Sequence, residues 1–106
     1  MNQPLVSIIL PTYNGAKTVI RAIKSALAQE YSPKEIVIIN DASTDETENI
    51  LKEYQKKYPT IIRYTTNEKN LKVTKTLVKL VEMSKGKYIA HLDDDPLVEF
   101  HRRVLG

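Results

Sequence analysis

The sequence predicts an α/β domain built as a three-layer open sheet of mainly parallel strands. Three observations carry this. Four short runs of branched apolar residues are nearly continuous, as strands covered on both faces are. Amphipathic helical patterns separate them. The two alternate three times and close on a strand, which is the order of a sheet with right-handed crossovers.

The first strand is read at Leu5-Val6-Ser7-Ile8-Ile9-Leu10, ended by Pro11. A helix is predicted from Gly15 to Gln29, with Val19, Ile20, Ile23, Ala26 and Leu27 on its apolar stripe. The second strand, Glu35 to Asn40, follows Ser32-Pro33. A second helix is predicted from Asp45 to Tyr58, with Ile50, Leu51, Tyr54 and Tyr58 facing inward. It begins acidic (Asp45, Glu46, Glu48) and ends basic (Lys56, Lys57), which suits the helix dipole. Ser43-Thr44-Asp45-Glu46 reads as a capping box, and Glu53 with Lys57 as a supporting pair. The third strand, Ile61 to Thr65, follows Pro59. A third helix is predicted from Leu71 to Ser84, its stripe being Thr74, Leu77, Leu80, Val81 and Ser84, with Gly86 as its stop signal. Lys87 to Leu92 is the fourth strand. Residues 1–96 are expected to form one domain, and 97–106 a tail that could turn helical.

The chain has 106 residues, 42% hydrophobic and 27% charged, which excludes a disordered segment and allows one domain. It has no cysteine, so neither a disulfide framework nor a cysteine zinc site is available. No apolar run reaches the roughly 18 residues of a membrane span, and no signal-peptide pattern opens the chain. A cytoplasmic location is expected, compatible with a peripheral position at the inner face of the membrane. The net charge of +3, from 16 basic and 13 acidic residues, is scattered and gives no reason to expect a nucleic-acid partner.

Ligands of open α/β sheets bind beyond the carboxyl ends of the strands. The segments there are Pro11-Thr12-Tyr13-Asn14-Gly15, Asn40 to Asp45, Thr65 to Asn70, and Asp93-Asp94-Asp95-Pro96. Polar residues therefore converge on one edge. Asn14-Gly15 alone would be read as a turn, and Ser43 and Asp45 as caps. Asp93-Asp94-Asp95 is different, because adjacent carboxylates repel and a turn does not require them. A divalent cation removes that repulsion. Asp93 and Asp95 can share a face of the strand end, and all-oxygen ligands favour Mg²⁺ or Mn²⁺. The chain has no phosphate-loop, dinucleotide or nucleophile-elbow motif. His91, within a strand, is read as packed or capped rather than catalytic.

These residues, in order and at natural spacing, resemble the amino-terminal half of family 2 glycosyltransferases. The resemblance rests on Val6 to Asn14, Ser25 to Gln29, Glu35 to Asp45 and Gly86 to Asp95. It implies a truncated GT-A fold, Rossmann-like, with the strands in the order three, two, one, four. It also implies binding of a nucleoside diphosphate sugar, UDP-linked by preference, with Mn²⁺ or Mg²⁺ as cofactor. By resemblance, Pro11, Thr12, Tyr13 and Asn14 border the nucleotide, the Tyr13 ring offering a stacking face, and Asp41 hydrogen-bonds the base. Asp93 and Asp95 match the outer residues of the D-x-D motif and are the metal ligands. Asp93 and Asp94 also approach the nucleotide, and Lys75 falls where relatives carry a basic residue near the donor. The family inverts the anomeric configuration in one displacement, transferring the sugar to a hydroxyl of a saccharide or lipid-linked glycan.

The chain departs from the family pattern at several positions. Asn40 stands where the first of two acids is usual, Pro96 where an Asp follows the metal motif, Val78 where Asn is common and Lys72 where Gly is common. No catalytic base is assigned, since Glu99 follows the metal motif too closely. The first functional expectation is thus the donor-binding portion of a metal-dependent glycosyltransferase, catalytically incomplete alone. The alternative is a non-catalytic nucleotide-binding or interaction module that completes its sheet with another chain, or with its own copy, through an exposed edge. A receiver-like phosphoryl-transfer domain is disfavoured, because the loop after the first strand offers Tyr13 and Asn14 rather than acids.

Overall fold

The computed structural model describes residues 4–30, 32–92 and 98–102. Along the chain run β1 (Val6–Thr12), α1 (Val19–Ala28), β2 (Lys34–Asn40), α2 (Thr47–Lys57), β3 (Ile62–Thr66), α3 (Lys72–Met83), β4 (Tyr88–Leu92) and β5 (Val98–Arg102). They form one sheet in the order β3-β2-β1-β4-β5. The first four strands are parallel, in the expected order three, two, one, four. The reading of 97–106 as a tail that could turn helical gives way to β5, which pairs antiparallel with β4 from Leu92↔Val98 to Tyr88↔Arg102.

The apolar runs are explained by two cores, one on each face of the sheet. Ile8, Leu10, Ile36 and Ile38 pack with Val19, Ala22, Ile23 and Ala26 of α1 and Leu51 of α2. The alternate residues Ile9, Val37, Ile39 and Ile89 pack under α3 through Leu80, with Leu77 and Met83 alongside. A strand flanked by helices on both faces needs apolar residues at every position, which is why β1 and β2 show no alternation. Each fully buried Ile or Leu contributes about 1.5–3 kcal/mol.

The helices begin later than their patterns suggest. Gly15 O accepts hydrogen bonds from the Thr18 and Val19 amides, at 3.0 and 2.7 Å, so a turn precedes α1. On α3 the inward residues are Thr76 and Leu80, whereas Thr74 is exposed and Val81 is 37% exposed. Gly86 does not cap α3. The helix ends at Ser84, and Gly86 is there because backbones approach closely: a β-carbon on it would lie 2.7 Å from Ser7 N and 2.8 Å from Leu5 O.

That approach belongs to a buried polar network on the amino-terminal edge of the sheet. Glu35 Oε2 accepts from Ser7 Oγ (2.6 Å) and Lys85 N (2.7 Å). Its Oε1 accepts from Arg63 Nη2 (2.7 Å) and Nε (3.2 Å). Arg63 Nη2 also reaches Met83 O at 2.8 Å, and Gly86 N donates to Ser7 Oγ at 2.8 Å. One carboxylate thus ties β1, β2, β3 and the end of α3 together, away from the edge where the polar loops gather.

Candidate functional site

Thr12, Asn40, Thr66 and Leu92 end β1 to β4 on the same edge. The loops after β1 and β2 are tied to each other there. Asn14 N donates to Ser43 Oγ (2.8 Å), and Asn14 Oδ1 accepts from Thr44 N (2.8 Å) and Thr44 Oγ1 (3.3 Å). Ala16 N donates to Asp45 Oδ2 (3.2 Å), and Asp41 N to Thr12 O (2.8 Å). Ser43 is therefore a loop tie rather than the cap of α2. Asp45 does receive the first turn of α2, its Oδ1 accepting from the Thr47 amide at 3.0 Å and from the Thr47 hydroxyl. That hydroxyl, working against some burial and with the Thr47 and Ala16 amides, holds the Asp45 carboxyl below its ordinary range.

Asp41, 5% exposed, is the centre of the edge. Its Oδ1 accepts from Asn67 Nδ2 (2.9 Å) and Leu71 N (2.7 Å), and its Oδ2 from Lys72 N (3.0 Å). Burial pushes its pKa up, but the Leu71 amide, the Asn67 side chain, the Lys72 amide and the Lys72 charge outweigh burial and keep it below the ordinary value. Asp41 is thus an ionised group that anchors the amino terminus of α3. Asn67, 4% exposed, is held in turn by Lys79 Nζ on its Oδ1 at 2.7 Å. A cleft of about 550 Å³ opens beside this network, lined by Thr66, Asn67, Glu68, Lys69, Leu71 and Lys79.

The expected nucleotide contacts fall into distinct environments. Tyr13 is 52% exposed at the mouth, where its ring face is available. Pro11 is half-buried inside β1, opposite Ile39. Thr12 is buried, and its hydroxyl lacks a hydrogen-bond partner among the described residues and packs where a β-carbon on Gly15 would stand. Asn14 is exposed, but its carbonyl oxygen is engaged by Thr44. Lys75 is exposed in the first turn of α3. Asp93, Asp94 and Asp95 lie outside the described residues; they directly follow Leu92, the last residue of β4. Among the described residues no group of three or more His, Asp or Glu could hold a metal ion. The Asn67–Lys79 pair is the feature sequence reading passed over. Asn67 stood in the polar loop after the third strand, but nothing in the local pattern linked it to a lysine a full helical stretch away.

The backbone marks the same edge. Among the described residues the non-glycine positions with positive φ are Asn14 (49°) and Ala42 (61°), in the loops after β1 and β2, and Lys72 (72°), the first residue of α3. Asn14 tolerates this region, whereas at Ala42 and Lys72 it costs about 1–2 kcal/mol each and persists where surrounding bonds over-determine it.

Known proteins are similar in sequence and in fold. The family model described as glycosyl transferase family 2 matches residues 7–102. Chondroitin synthase of Escherichia coli is 38% identical over 96 residues, which are 91% of this chain and 14% of that protein. An uncharacterized glycosyltransferase of Rickettsia prowazekii is 46% identical over 92 residues, 87% of this chain and 27% of that protein. The chain thus spans well under half the length of these relatives. The crystal structure of S. aureus TarS 1–349 in complex with UDP-GlcNAc superposes with a TM-score of 0.76 at 27% identity, covering 85% of this chain and 26% of that one.

Proposed function

The chain belongs to glycosyl transferase family 2, and from that premise we propose that it is the donor-binding part of an inverting, metal-dependent glycosyltransferase of polysaccharide biosynthesis. The donor is a UDP-linked sugar, and the acceptor a hydroxyl of a saccharide or lipid-linked glycan. The observation that carries this reading is the state of Asp41. A carboxylate has about four acceptor positions. Three N–H groups occupy Asp41, two on Oδ1 and one on Oδ2, so the remaining position is on Oδ2. An ionised group can only accept, so its ligand must offer an N–H or O–H donor. Uracil does so at N3, whereas cytosine presents an acceptor there. Binding of UDP-GlcNAc by the similar TarS supports uracil. The exposed Tyr13 ring, one residue beyond the Thr12 carbonyl that bonds Asp41 N, offers the stacking face.

The three carboxylates after β4 are hard oxygen donors of the kind Mn²⁺ and Mg²⁺ select. Asp93 and Asp95 would hold such an ion, with Asp94 beside the nucleotide. Bound there, the ion supplies positive charge against the diphosphate leaving group. Lys75 adds charge from α3. Removal of these charges should be felt by the diphosphate, and removal of Asp41 by the base.

Calorimetric titration of the chain with UDP and CDP, with and without Mn²⁺, tests both halves. UDP should bind at least about tenfold tighter than CDP, since a mismatched buried acceptor costs about 1–3 kcal/mol. Asp95→Ala should abolish the Mn²⁺ dependence with the fold intact. Equal affinity for UDP and CDP would overturn the base assignment. Binding of neither would overturn the donor-binding reading itself.

A further inference from the structure

Resting on that reading, we infer that Asn67 and Lys79 are positioning residues for base recognition. Lys79 orients the Asn67 amide, and Asn67 orients the Asp41 carboxylate so that Oδ2 is the oxygen left to a ligand.

The chemistry of the donors leaves one arrangement. A lysine ammonium donates only, so the Asn67 atom it meets at 2.7 Å is the amide oxygen. The amide nitrogen must then point the other way, where it meets Asp41 Oδ1 at 2.9 Å and Thr76 Oγ1 at 3.5 Å. The Asn67 backbone is held as well, its N–H donating to Asn40 O at 2.9 Å. With Asn67 Nδ2 and Leu71 N both on Oδ1, that oxygen is full. Among the described residues Oδ2 receives only Lys72 N, which it shares with Asn70 Oδ1 at 3.0 Å from each. Without Lys79 the amide is free to flip and set its oxygen against the Asp41 carboxylate. The carboxylate then loses a donor and its fixed orientation. Asn67 and Asp41 are both buried, which limits the donors that could replace the lost one.

Lys79 itself is exposed on α3, and Lys79→Met keeps its aliphatic stem, so the variant should fold. It should weaken UDP binding about tenfold, the scale of one misplaced charge-assisted hydrogen bond, and leave CDP within about twofold. Lys79→Arg should restore the UDP preference. Asn67→Leu, which removes the relay at its centre, should lose the preference in the same way. Far-UV circular dichroism verifies the fold of each. If Lys79→Met keeps the wild-type UDP-to-CDP ratio, whether by retaining both affinities or by losing both equally, the pair is structural only and the inference is overturned. If the unsubstituted chain binds UDP and CDP equally, the base assignment fails first, and if it binds neither, the donor-binding reading fails first; in both cases the inference falls with it. The wild-type titration therefore separates the two failures.

Discussion

Replacing Glu35 by Gln should destabilise the chain by about 3 kcal/mol, and the structure shows why so small a change costs so much. Four donor contacts reach this carboxylate, two on each oxygen. Glutamine keeps the shape but has one acceptor oxygen. If that oxygen faces Arg63, the new NH₂ meets the Lys85 amide, which is fixed backbone. If it faces Lys85 and Ser7, the NH₂ meets two guanidinium N–H groups. The first leaves the Lys85 amide facing a donor and the second sets N–H against N–H at the half-exposed Arg63, so a donor loses its partner at about 1–3 kcal/mol. Loss of the ion pair adds only about 0.5–1 kcal/mol, because Arg63 is 36% exposed and water screens it. Stability of domains this size is typically about 5–15 kcal/mol, so the loss is a large fraction of the whole. Urea denaturation followed by far-UV circular dichroism measures it. Acid supplies a second arm. Burial raises the Glu35 pKa, but the Lys85 amide, Ser7 and Arg63 more than reverse this and leave it lowered. A lowered folded-state pKa stabilises above the unfolded value of about 4.3, and that contribution is lost as pH falls through the folded-state value. The gap between wild type and variant should therefore be full at pH 7 and narrow below about pH 4. A cost below about 1 kcal/mol at pH 7, or a gap unchanged by acid, would refute this account of the network.

Two other substitutions test the two edges of the sheet. Gly86→Ala places a β-carbon 2.6 Å from Ser7 Oγ and against the Ser7 and Leu5 backbone, neither of which can move without disturbing β1. It should cost about 1–3 kcal/mol, read as a lower urea midpoint, and an unchanged midpoint would contradict the close approach. Asn14→Ala removes both bonds from Thr44 and leaves a residue without Asn's tolerance of positive φ at 49°. It should cost about 1–2 kcal/mol, speed hydrogen exchange at the Thr44 amide and weaken UDP binding. Unchanged Thr44 exchange would mean that the loop tie is absent in solution.

The parts of this molecule that a sequence shows are those set by local periodicity. Both cores follow from β1 and β2, because a strand buried on two faces needs Ile, Val or Leu at nearly every position. Long-range bonds decided the rest. Ser43 looked like a cap because Ser-Thr-Asp-Glu precedes an apolar stripe, yet its hydroxyl meets Asn14, 29 residues earlier. Gly86 looked like a helix stop, yet it is required by Ser7 and Leu5, across the sheet. The run after the fourth strand reads as a tail that could turn helical, whereas its pairing as β5 with β4 is a tertiary outcome.

Backbone strain gives the candidate site support that does not depend on resemblance. A lysine at φ 72° costs about 1–2 kcal/mol relative to an ordinary conformation, and glycine would remove the cost. Lys72 persists there because its amide is held by Asp41 Oδ2 and Asn70 Oδ1. Asn14 persists because Ser43 and Thr44 hold it, and Ala42 because its amide bonds Asn40 O while Ser43 N bonds Asn40 Oδ1. The strained Ala42 and Lys72, and Asn14 beside them, are each pinned by hydrogen bonds in the loops after β1 and β2 and at the start of α3, on one edge of the sheet. The opposite edge, around Glu35, shows no such residue among those described. A fold that needed only to close its loops could relax all three positions with glycine. Retaining side chains there makes sense where the loops must hold a shape for a ligand, and the ionised Asp41 that anchors one of them is the group proposed to meet the base.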